Sequence, residues 1–445
     1  MKTNRKGFTI TELVIVIVVI AILAAVLIPT FSSLIKKANV SADTQVAKNL
    51  NTALTMSEAE GKKIETFGEA LAALRENGYV VANLNPTAQG HLFAWESESN
   101  QILLVDGEKD YKVVYKSKDL KNAQIGETWW FAVNDDELKT ELEGKGAKVY
   151  YAPKNAEQLK EALSELFGQT GAVKDTIVVS DDIELNDATA YKLNNKDAEI
   201  TLEMGGKTVS TPESIKVRPY DIDSGTLNVS GGTIIAGGAK ATNPTNNTDG
   251  AGTGSYGSFW VKGADSVLNL EDMTLQNSRP WGLNLKAQDG ATINIKDTVI
   301  TSSYGGGIEA SASTIIVENT TITQTGYHDH CSTCVAVSGM GNLIVKSGTF
   351  NAENYGVYVF SSGGTIQIEG GSFNKTGNNS KSLIQLSEDK NQYPNAEAKV
   401  IITGGTFNGT DFKSLTEAQW KALCGNDSRI SVSGIGTSTV TIVLN

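Results

Sequence analysis

The first apolar stretch of the chain is long enough to cross a membrane. Every residue from Leu13 to Ile28 is apolar, and Phe8 to Phe31 would form about 36 Å of helix, which is enough to span a bilayer. Pro29 is predicted to kink this helix. Beyond Lys37 the helix is expected to continue with one apolar face, because apolar residues recur at helical spacing: Val40, Val46, Ala47, Leu50, Ala53 and Leu54.

The middle of the chain changes from helical to alternating patterns. Residues 61–118 contain an amphipathic stretch, Phe67–Arg75, followed by alternating segments around two polar turns. This order predicts a small α+β head with an antiparallel sheet. Residues 119–195 predict strand, helix (Asn155–Phe167) and strand, which we interpret as a linker and an N-terminal cap over the open edge of the next region.

Internal repeats dominate the second half of the chain. Seven segments align without gaps, and their starts are 41, 25, 22, 28, 23 and 34 residues apart. The segments are LNVSGGTI from Leu227, LNLEDMTL from Leu268, INIKDTVI from Ile293, IIVENTTI from Ile315, LIVKSGTF from Leu343, IQIEGGSF from Ile366 and VIITGGTF from Val400. Positions one, three and eight are always apolar and should face inward. The repeat predicts a right-handed parallel β-helix of about eight coils over residues 196–411, with a C-terminal cap at 412–445.

The predicted fold class is therefore α+β and all-β, and two ladders are expected outside the β-helix. Position four of the repeat alternates in sign over five coils, at Glu271, Lys296, Glu318, Lys346 and Glu369. Stacking would place these opposite charges side by side. After the motif, an asparagine stack is expected at Asn351, Asn374 and Asn408.

A second strand in each coil places a row of aromatic, amide and acidic side chains outward. The predicted outward centres are Trp260, Asn284, Glu309, Tyr358 and Gln385. Aromatic rings can stack on sugar rings, and amides or carboxylates can hydrogen-bond to hydroxyl groups. The row is therefore a candidate glycan-binding stripe, and ordinary exposed solenoid surface is the alternative interpretation.

The sequence KGFTITE resembles the leader of type IV prepilins, with basic residues, a glycine, an aromatic residue and a glutamate four positions later. The resemblance implies that residues 1–7 are a leader, that a prepilin peptidase cuts after Gly7, and that Phe8 becomes a methylated N-terminus. It implies further that Glu12 pairs with this amino group on a neighbouring subunit. The family also tends to have a proline where Pro29 stands.

Residues 8–60 would then form the assembly helix, and residues 61–118 are similar to the heads of Gram-positive pilin-like proteins. A plain signal anchor is the alternative for the first segment. It gives no reason for Glu12, because a charge at bilayer depth costs roughly 2.5–3.5 kcal/mol. The apolar run also lacks the polar, small-residue cleavage site of an ordinary secretory signal.

Charge and cysteine content narrow the choice of function. The net charge is −12 and the pI is about 4.9, which argues against nucleic-acid binding. Three cysteines are too few for a disulfide framework. The loop YHDHCSTC nevertheless groups zinc-capable side chains, and a zinc site, a local disulfide and free thiols all remain open there: His328, His330, Cys331 and Cys334.

These features favour a minor or tip subunit of a type IV pilus-like filament that displays the β-helix for adhesion to a glycan or another surface ligand. The subunit would reside in the cytoplasmic membrane as a precursor and bind other pilin subunits through its helix. The alternatives are a membrane-tethered polysaccharide lyase or hydrolase and a pseudopilin of a type II-like secretion system. We expect no enzyme and no cofactor besides the zinc alternative, because the nearest approach to a catalytic cluster is Arg218, Asp221 and Asp223.

Overall fold

The computed structural model describes residues 10–79, 86–133, 136–186, 190–212, 219–236, 257–277, 283–303, 305–326, 332–360, 362–377, 382–386, 398–410, 412 and 415–445. These residues form two compact units. The first holds the described residues up to Ala132 together with Glu137–Val149. The second holds Val133, Asp136 and the described residues from Tyr150 onward.

Helix α1 spans Ile10–Ala59 and continues through Pro29. Its N-terminal half exposes a continuous apolar surface, on which Leu13, Ile20 and Phe31 are 55 %, 59 % and 57 % exposed. By length and composition this helix can cross a membrane. The prediction of a long apolar N-terminal helix is confirmed, and the kink at Pro29 stays a prediction.

The C-terminal half of α1 packs into the first unit, which confirms the predicted apolar face. Its buried side chains include Ala47, Leu50, Ala53 and Leu54. Asp43 is also buried, and its two carboxylate oxygens accept hydrogen bonds from the backbone N–H groups of Thr87 (2.9 Å) and Ala88 (2.7 Å). Apolar packing and charge-assisted bonds together hold this half of the helix.

The first unit contains a five-stranded sheet in the order β3-β2-β1-β4-β5. The strands are β1 (His91–Glu96), β2 (Gln101–Asp106), β3 (Lys112–Tyr115), β4 (Trp129–Val133) and β5 (Lys148–Tyr151), and the helices beside α1 are α2 (Phe67–Glu76) and α3 (Asp136–Gly144). The first unit extends beyond residue 118, which is where we predicted from the sequence that the head ends. The reason is that β4 returns to β1, with Trp130 opposite Trp95.

The second unit is a β-solenoid, as the repeat predicted, and its strands stack into three parallel sheets. Helix α4 (Ala156–Phe167) packs against its first strands, as expected for a cap. The first sheet consists of β6 (Val173–Val178), the end of β8 (Tyr191–Glu203), the middle of β10 (Tyr220–Ala236), the start of β12 (Ser266–Asn277), β14 (Thr292–Lys296), β17 (Thr314–Glu318), β20 (Gly341–Val345), β23 (Gly364–Ile368) and β26 (Ala398–Ile402).

The other two sheets complete each turn of the solenoid. The second sheet consists of β7 (Ile183–Glu184), β9 (Thr208–Ser210), the ends of β10 and β12, β15 (Val299–Ser303), β18 (Thr320–Thr325), β21 (Gly348–Ala352), β24 (Ser372–Lys375) and β27 (Gly405–Asn408). The third sheet consists of the starts of β8 and β10, β11 (Phe259–Lys262), β13 (Leu283–Gln288), β16 (Gly306–Ser311), β19 (Thr333–Ser338), β22 (Tyr355–Val359) and β25 (Ile384–Leu386).

The terminal turns are the least regular part of the solenoid. The shortest strands, β7, β9 and β25, lie in these turns, so about six turns are fully regular where sequence predicted about eight. At the far end β29 (Thr439–Leu444) pairs antiparallel with β27 and with β28 (Ile430–Ser433). Helix α5 (Glu417–Leu423) buries Trp420 beside them. These elements cover the last strand edge.

Side-chain ladders run along the outside of the solenoid. Lys296 lies 2.6 Å from Glu271, and Lys346 lies 3.2 Å from Glu318, as the alternation of charge predicted. The asparagine stack is also present, since Asn374 donates to Asn351 (2.9 Å) and Asn408 donates to Asn374 (2.7 Å). Sequence missed a second asparagine ladder at position two of the repeat, which links Asn228, Asn269 and Asn294.

Candidate functional site

The predicted processing and assembly residues are Gly7, Phe8, Glu12 and Pro29. Gly7 and Phe8 lie outside the described residues, whereas Glu12 and Pro29 lie within the helix. Around them the helix exposes apolar side chains over several turns, from Ile10 (82 % exposed) to Ile35 (58 %). A contiguous apolar surface of this kind is covered by lipid or by other protein in the functional state.

A groove of about 1070 Å³ lies between this exposed half of α1 and the edge of the head. The helix lines it with apolar side chains, including Phe31 and Ile35, and with two lysines, and the head contributes further charged side chains. There Asp106 Oδ2 lies 2.6 Å from Lys109 Nζ and 4.0 Å from His91 Nε2. The hydrogen bond from Lys109 lowers the pKa of Asp106, so its carboxylate stays ionised.

The third sheet contains most of the predicted glycan-binding stripe, with one correction. Trp260 stands opposite Lys286 rather than Asn284. Asn284 is fully buried, and its amide donates to Ser302 Oγ at 2.6 Å. The segment LNLKAQ alternates in the same way from Leu283 or from Leu285, so sequence alone could not choose between two registers that differ by two residues.

The actual outward row is richer in charge than sequence predicted. In order along the solenoid it consists of Lys192, Asp221, Trp260, Lys286, Glu309, Ala336, Tyr358 and Gln385. Lys286 Nζ lies 3.8 Å from Glu309 Oε1, which also accepts a hydrogen bond from Ser338 Oγ at 2.7 Å. Opposite charges therefore compensate each other along this face.

Lys262 occupies the centre of a polar cluster beside this row. Its Nζ lies 2.8 Å from Asp223 Oδ1, 3.9 Å from Asp221 Oδ2 and 4.3 Å from the ring centroid of Trp260. Trp260 Nε1 donates to Gln288 Oε1 at 3.2 Å. Sequence reasoning missed Lys262 and Gln288, although the segments DID, WVK and KAQ show that each strand has two outward positions. Arg218 lies outside the described residues.

The two aromatic members of the stripe differ in accessibility. Trp260 is half-buried, and Lys262 lies over its ring. Tyr358 is only 6 % exposed, because it packs edge-on against Tyr355 (ring centroids 4.9 Å apart) and against Phe360 (4.6 Å). Trp260 is therefore the more accessible of the two rings.

The loop with histidines and cysteines is described only in part. His328, His330 and Cys331 lie outside the described residues. Cys334 is a free, fully buried cysteine in β19, with Sγ 3.4 Å from the carbonyl oxygen of Asn351, and burial raises its pKa to about 12. This position favours a free thiol over a zinc ligand. Within the described ranges no three His, Cys, Asp or Glu side chains group to hold a metal.

A comparison with known proteins supports the resemblance of the N-terminal segment to prepilin leaders. Residues 2–28 match the family model of the prokaryotic N-terminal methylation motif. The N-terminal segment is thus similar to that of type IV pilins, and the second unit is a β-solenoid. The leader and the apolar helix fit a membrane-anchored precursor and a surface filament.

Three relatives show how far the similarity extends. The chain is 54 % identical over 55 residues to the type IV wide pilus major component PilA4 of Thermus thermophilus, which is 12 % of this chain and 40 % of that protein. It is 26 % identical over 152 residues to a type IV major fimbrial protein FimA of Dichelobacter nodosus, which is 31 % of this chain and 93 % of that protein. It is 40 % identical over 58 residues to a fimbrial protein of Moraxella nonliquefaciens, which is 13 % of this chain and 38 % of that protein.

The family model covers residues 2–28, and the longest of these matches to relatives covers 152 residues, 31 % of the chain. The chain spans only about two fifths of the Thermus and Moraxella proteins. No solved structure matches the chain.

Proposed function

We propose that the protein is a subunit of a type IV pilus-like filament. The observation behind this proposal is the coincidence of a methylation motif at residues 2–28 with a helix whose first half exposes a continuous apolar surface. Before assembly a bilayer covers this surface, and after assembly the same helices of other subunits replace the lipid. The relatives named above are themselves pilus or fimbrial components.

The size of the second unit supports a minor or tip position. This unit runs from Tyr150 to the end of the chain, and its solenoid adds a rigid body beyond what filament packing requires. A filament of identical copies would have to accommodate one solenoid at every subunit position. A subunit present in few copies, or at the tip, avoids this crowding and presents the solenoid outward.

Adhesion is the role proposed for the solenoid. Its third sheet presents a half-exposed aromatic ring, Trp260, beside ammonium and carboxylate groups of Lys262, Lys286 and Glu309. Such a mixture can stack on a sugar ring and hydrogen-bond to its hydroxyl groups. Trp260→Ala should weaken binding on a glycan array, because Trp260 is the more accessible ring, and unchanged binding would exclude this ring as the contact.

Immunogold labelling of the solenoid tests the filament proposal. In cells with prepilin peptidase, label is expected along filaments or at their tips. In cells without the peptidase, this label should disappear, because the precursor keeps its leader and stays in the membrane. Label spread over the membrane in both strains would overturn the proposal.

The enzymatic alternative has its own measurement. The Asp221–Lys262–Asp223 cluster is the part of the described surface that most resembles a polysaccharide-cleaving site. Incubation of the purified chain with polymers of uronic acids and calcium should give no ultraviolet-absorbing unsaturated product. Accumulation of that product would show that the solenoid is a lyase and would contradict the proposed adhesive role.

A further inference from the structure

The outward face of the second sheet consists of two columns of aligned side chains. The first column contains Thr208, Thr233, Thr274, Val299, Thr321, Thr349, Ser372 and Thr406. The second column contains Ser210, Ile235, Gln276, Thr301, Thr323, Asn351, Asn374 and Asn408. We call this surface the Thr–Asn face.

The Thr–Asn face is regular because the strand register fixes it. The residues between the two columns, including Ile300, Ile322 and Phe350, are fully buried, so their neighbours on the strand must point outward. Successive rungs of a sheet lie about 4.8 Å apart, and alternate residues along a strand lie about 6.6 Å apart. The first column therefore extends over about 34 Å from Thr208 to Thr406.

From Thr208 and Ser210 onward the two columns contain no charged side chain, although 20 % of the chain is charged. The rung before them, β7, carries Glu184 opposite Ser210, so the uncharged surface begins at β9. The outer faces of the other sheets differ, because Lys296 pairs with Glu271 on the first sheet and Lys262 pairs with Asp223 on the third. A charged ligand on the Thr–Asn face would lose hydration without gaining a counter-charge. This argues against anionic polysaccharides, nucleic acids and acidic peptides.

The face is polar even though it is uncharged. In the second column the Asn408–Asn374–Asn351 ladder holds its amides in fixed orientations. Among the described residues, the six threonine hydroxyls of the first column have no hydrogen-bond partner in the protein: Thr208, Thr233, Thr274, Thr321, Thr349 and Thr406. An apolar ligand such as a lipid would bury these hydroxyls unsatisfied, which is unfavourable.

We propose that the Thr–Asn face binds an uncharged, extended polysaccharide chain. A site that repeats at every rung suits a linear polymer better than a single small molecule. Sugar residues offer hydroxyl donors and acceptors at their edges and C–H groups on their faces, which the threonine hydroxyls and methyl groups can both match. This inference names a ligand class for the adhesive role proposed above, and its biological meaning rests on that role.

Co-sedimentation of the full-length chain with insoluble polysaccharides tests the inference. The chain is kept in a polyoxyethylene detergent, because detergents with sugar headgroups would compete. We expect retention on at least one of cellulose, chitin and mannan, and no retention on cross-linked polygalacturonate. Retention should persist in 1 M salt, since screening acts on charges and this contact has none.

Matched substitutions locate the contact on the second sheet. The pair Thr321→Glu and Thr349→Glu places charges on two adjacent rungs of the Thr–Asn face and should weaken retention at least 10-fold. The pair Thr321→Val and Thr349→Val removes only the hydroxyls and should weaken it about 3-fold. The control pair Thr292→Glu and Thr314→Glu makes the same change on adjacent rungs of the first sheet and should leave retention unchanged.

Four results would overturn the inference. They are no retention on any neutral polymer, retention that salt abolishes, equal losses for the two glutamate pairs at equal melting temperatures, and loss with Trp260→Ala but not with the second-sheet pair. The experiments distinguish failure of the filament proposal from failure of this inference. If label never reaches filaments while polysaccharide retention depends on Thr321 and Thr349, the filament role is wrong and the Thr–Asn face stands.

Discussion

The side chain of Asn51 on α1 pairs with the backbone of Ile102 on β2 as a neighbouring strand would. Asn51 Oδ1 accepts the Ile102 N–H at 2.8 Å, and Asn51 Nδ2 donates to the Ile102 carbonyl oxygen at 2.8 Å. Strand β3 pairs with β2 only from Leu104 onward, so this backbone position would otherwise lack a partner on that side. The amide thus completes the sheet and fastens the helix to the head.

Removing this amide should loosen the head from α1. Asn51 is 6 % exposed and Ile102 is 1 % exposed, so Asn51→Ala leaves a backbone donor and acceptor buried without partners. At about 1–3 kcal/mol for each of the two unsatisfied groups, we expect the free energy of unfolding to fall by about 2–6 kcal/mol. Hydrogen exchange at the Ile102 amide, with the full chain in detergent, measures the local opening.

The matched control is Asn49→Ala, since Asn49 lies on the exposed side of the same helix. Exchange at Ile102 should remain as slow in this variant as in the unchanged chain. Equal protection in the Asn51 and Asn49 variants would show that the amide pair does not hold the helix.

Glu12 should be needed for assembly but not for membrane insertion. A carboxylate at bilayer depth costs roughly 2.5–3.5 kcal/mol, so Glu12→Ala should insert at least as well. In the filament the proposed partner is the amino group of Phe8 on a neighbouring subunit, and losing that pair should reduce incorporation at least 10-fold. Membrane fractionation and sheared-filament yield separate the two steps, with Glu60→Ala, just past the C-terminal end of α1, as the control. Normal incorporation of the Glu12 variant would contradict the pairing.

The elements with strong periodicity could be predicted from sequence. The apolar run before Phe31 predicts a helix, and the repeat from Leu227 onward predicts the solenoid, because burial on one side leaves a regular trace in the chain. The strand register is less clearly indicated by the sequence. LNLKAQ fits the third sheet equally well with Leu283 or Leu285 opposite Phe259, and only the folded backbone selects Leu285.

Long-range pairing explains the other differences between sequence and structure. The head extends past residue 118 because Trp130 pairs with Trp95, and no local pattern marks two segments so far apart as partners. Similarly, the cysteines of YHDHCSTC look like a polar loop motif, but β19 begins within the motif, at Thr333. That boundary places Cys334 in the core rather than in the loop.

Cys334 should resist modification while the solenoid is folded. With no exposed surface and a pKa of about 12, its thiol stays protonated at pH 8 and cannot react with iodoacetamide. After denaturation it should react fully. Mass spectrometry of the native chain should show no zinc adduct and no loss of two protons; either signal involving Cys334 would contradict the buried free thiol.

Because of the Cys334 thiol, the free energy of unfolding should depend on pH in the alkaline range. The unfolded chain loses the Cys334 proton near its ordinary pKa of 9.0, whereas the folded chain keeps it until about pH 12. The contribution of the protonated Cys334 thiol to the free energy of unfolding is therefore complete below pH 9. It is lost as the pH rises toward 12, at up to about 1.4 kcal/mol per pH unit. Below pH 9 the difference in the free energy of unfolding between the full chain and Cys334→Ala, measured by denaturant melts, should be constant, and between pH 9 and 12 the value for the full chain should fall relative to that of the variant. A difference that stays constant up to pH 12 would exclude Cys334 as the source.

The aromatic column inside the solenoid should contribute strongly to the stability of its C-terminal turns. Phe373 is fully buried between Phe350 and Phe407, with ring centroids 4.5 and 5.1 Å away. Phe373→Ala should lower the free energy of unfolding by about 3–5 kcal/mol, because it opens a cavity in the stack. The next residue points outward, so Asn374→Ala breaks the asparagine ladder alone and should cost about 1–2 kcal/mol.

Because solenoid turns contact mainly their neighbours, hydrogen exchange in the Phe373→Ala variant should accelerate in β21, β24 and β27 while β12 and β14 stay protected. Uniform acceleration along all turns would show instead that the solenoid opens as a single unit.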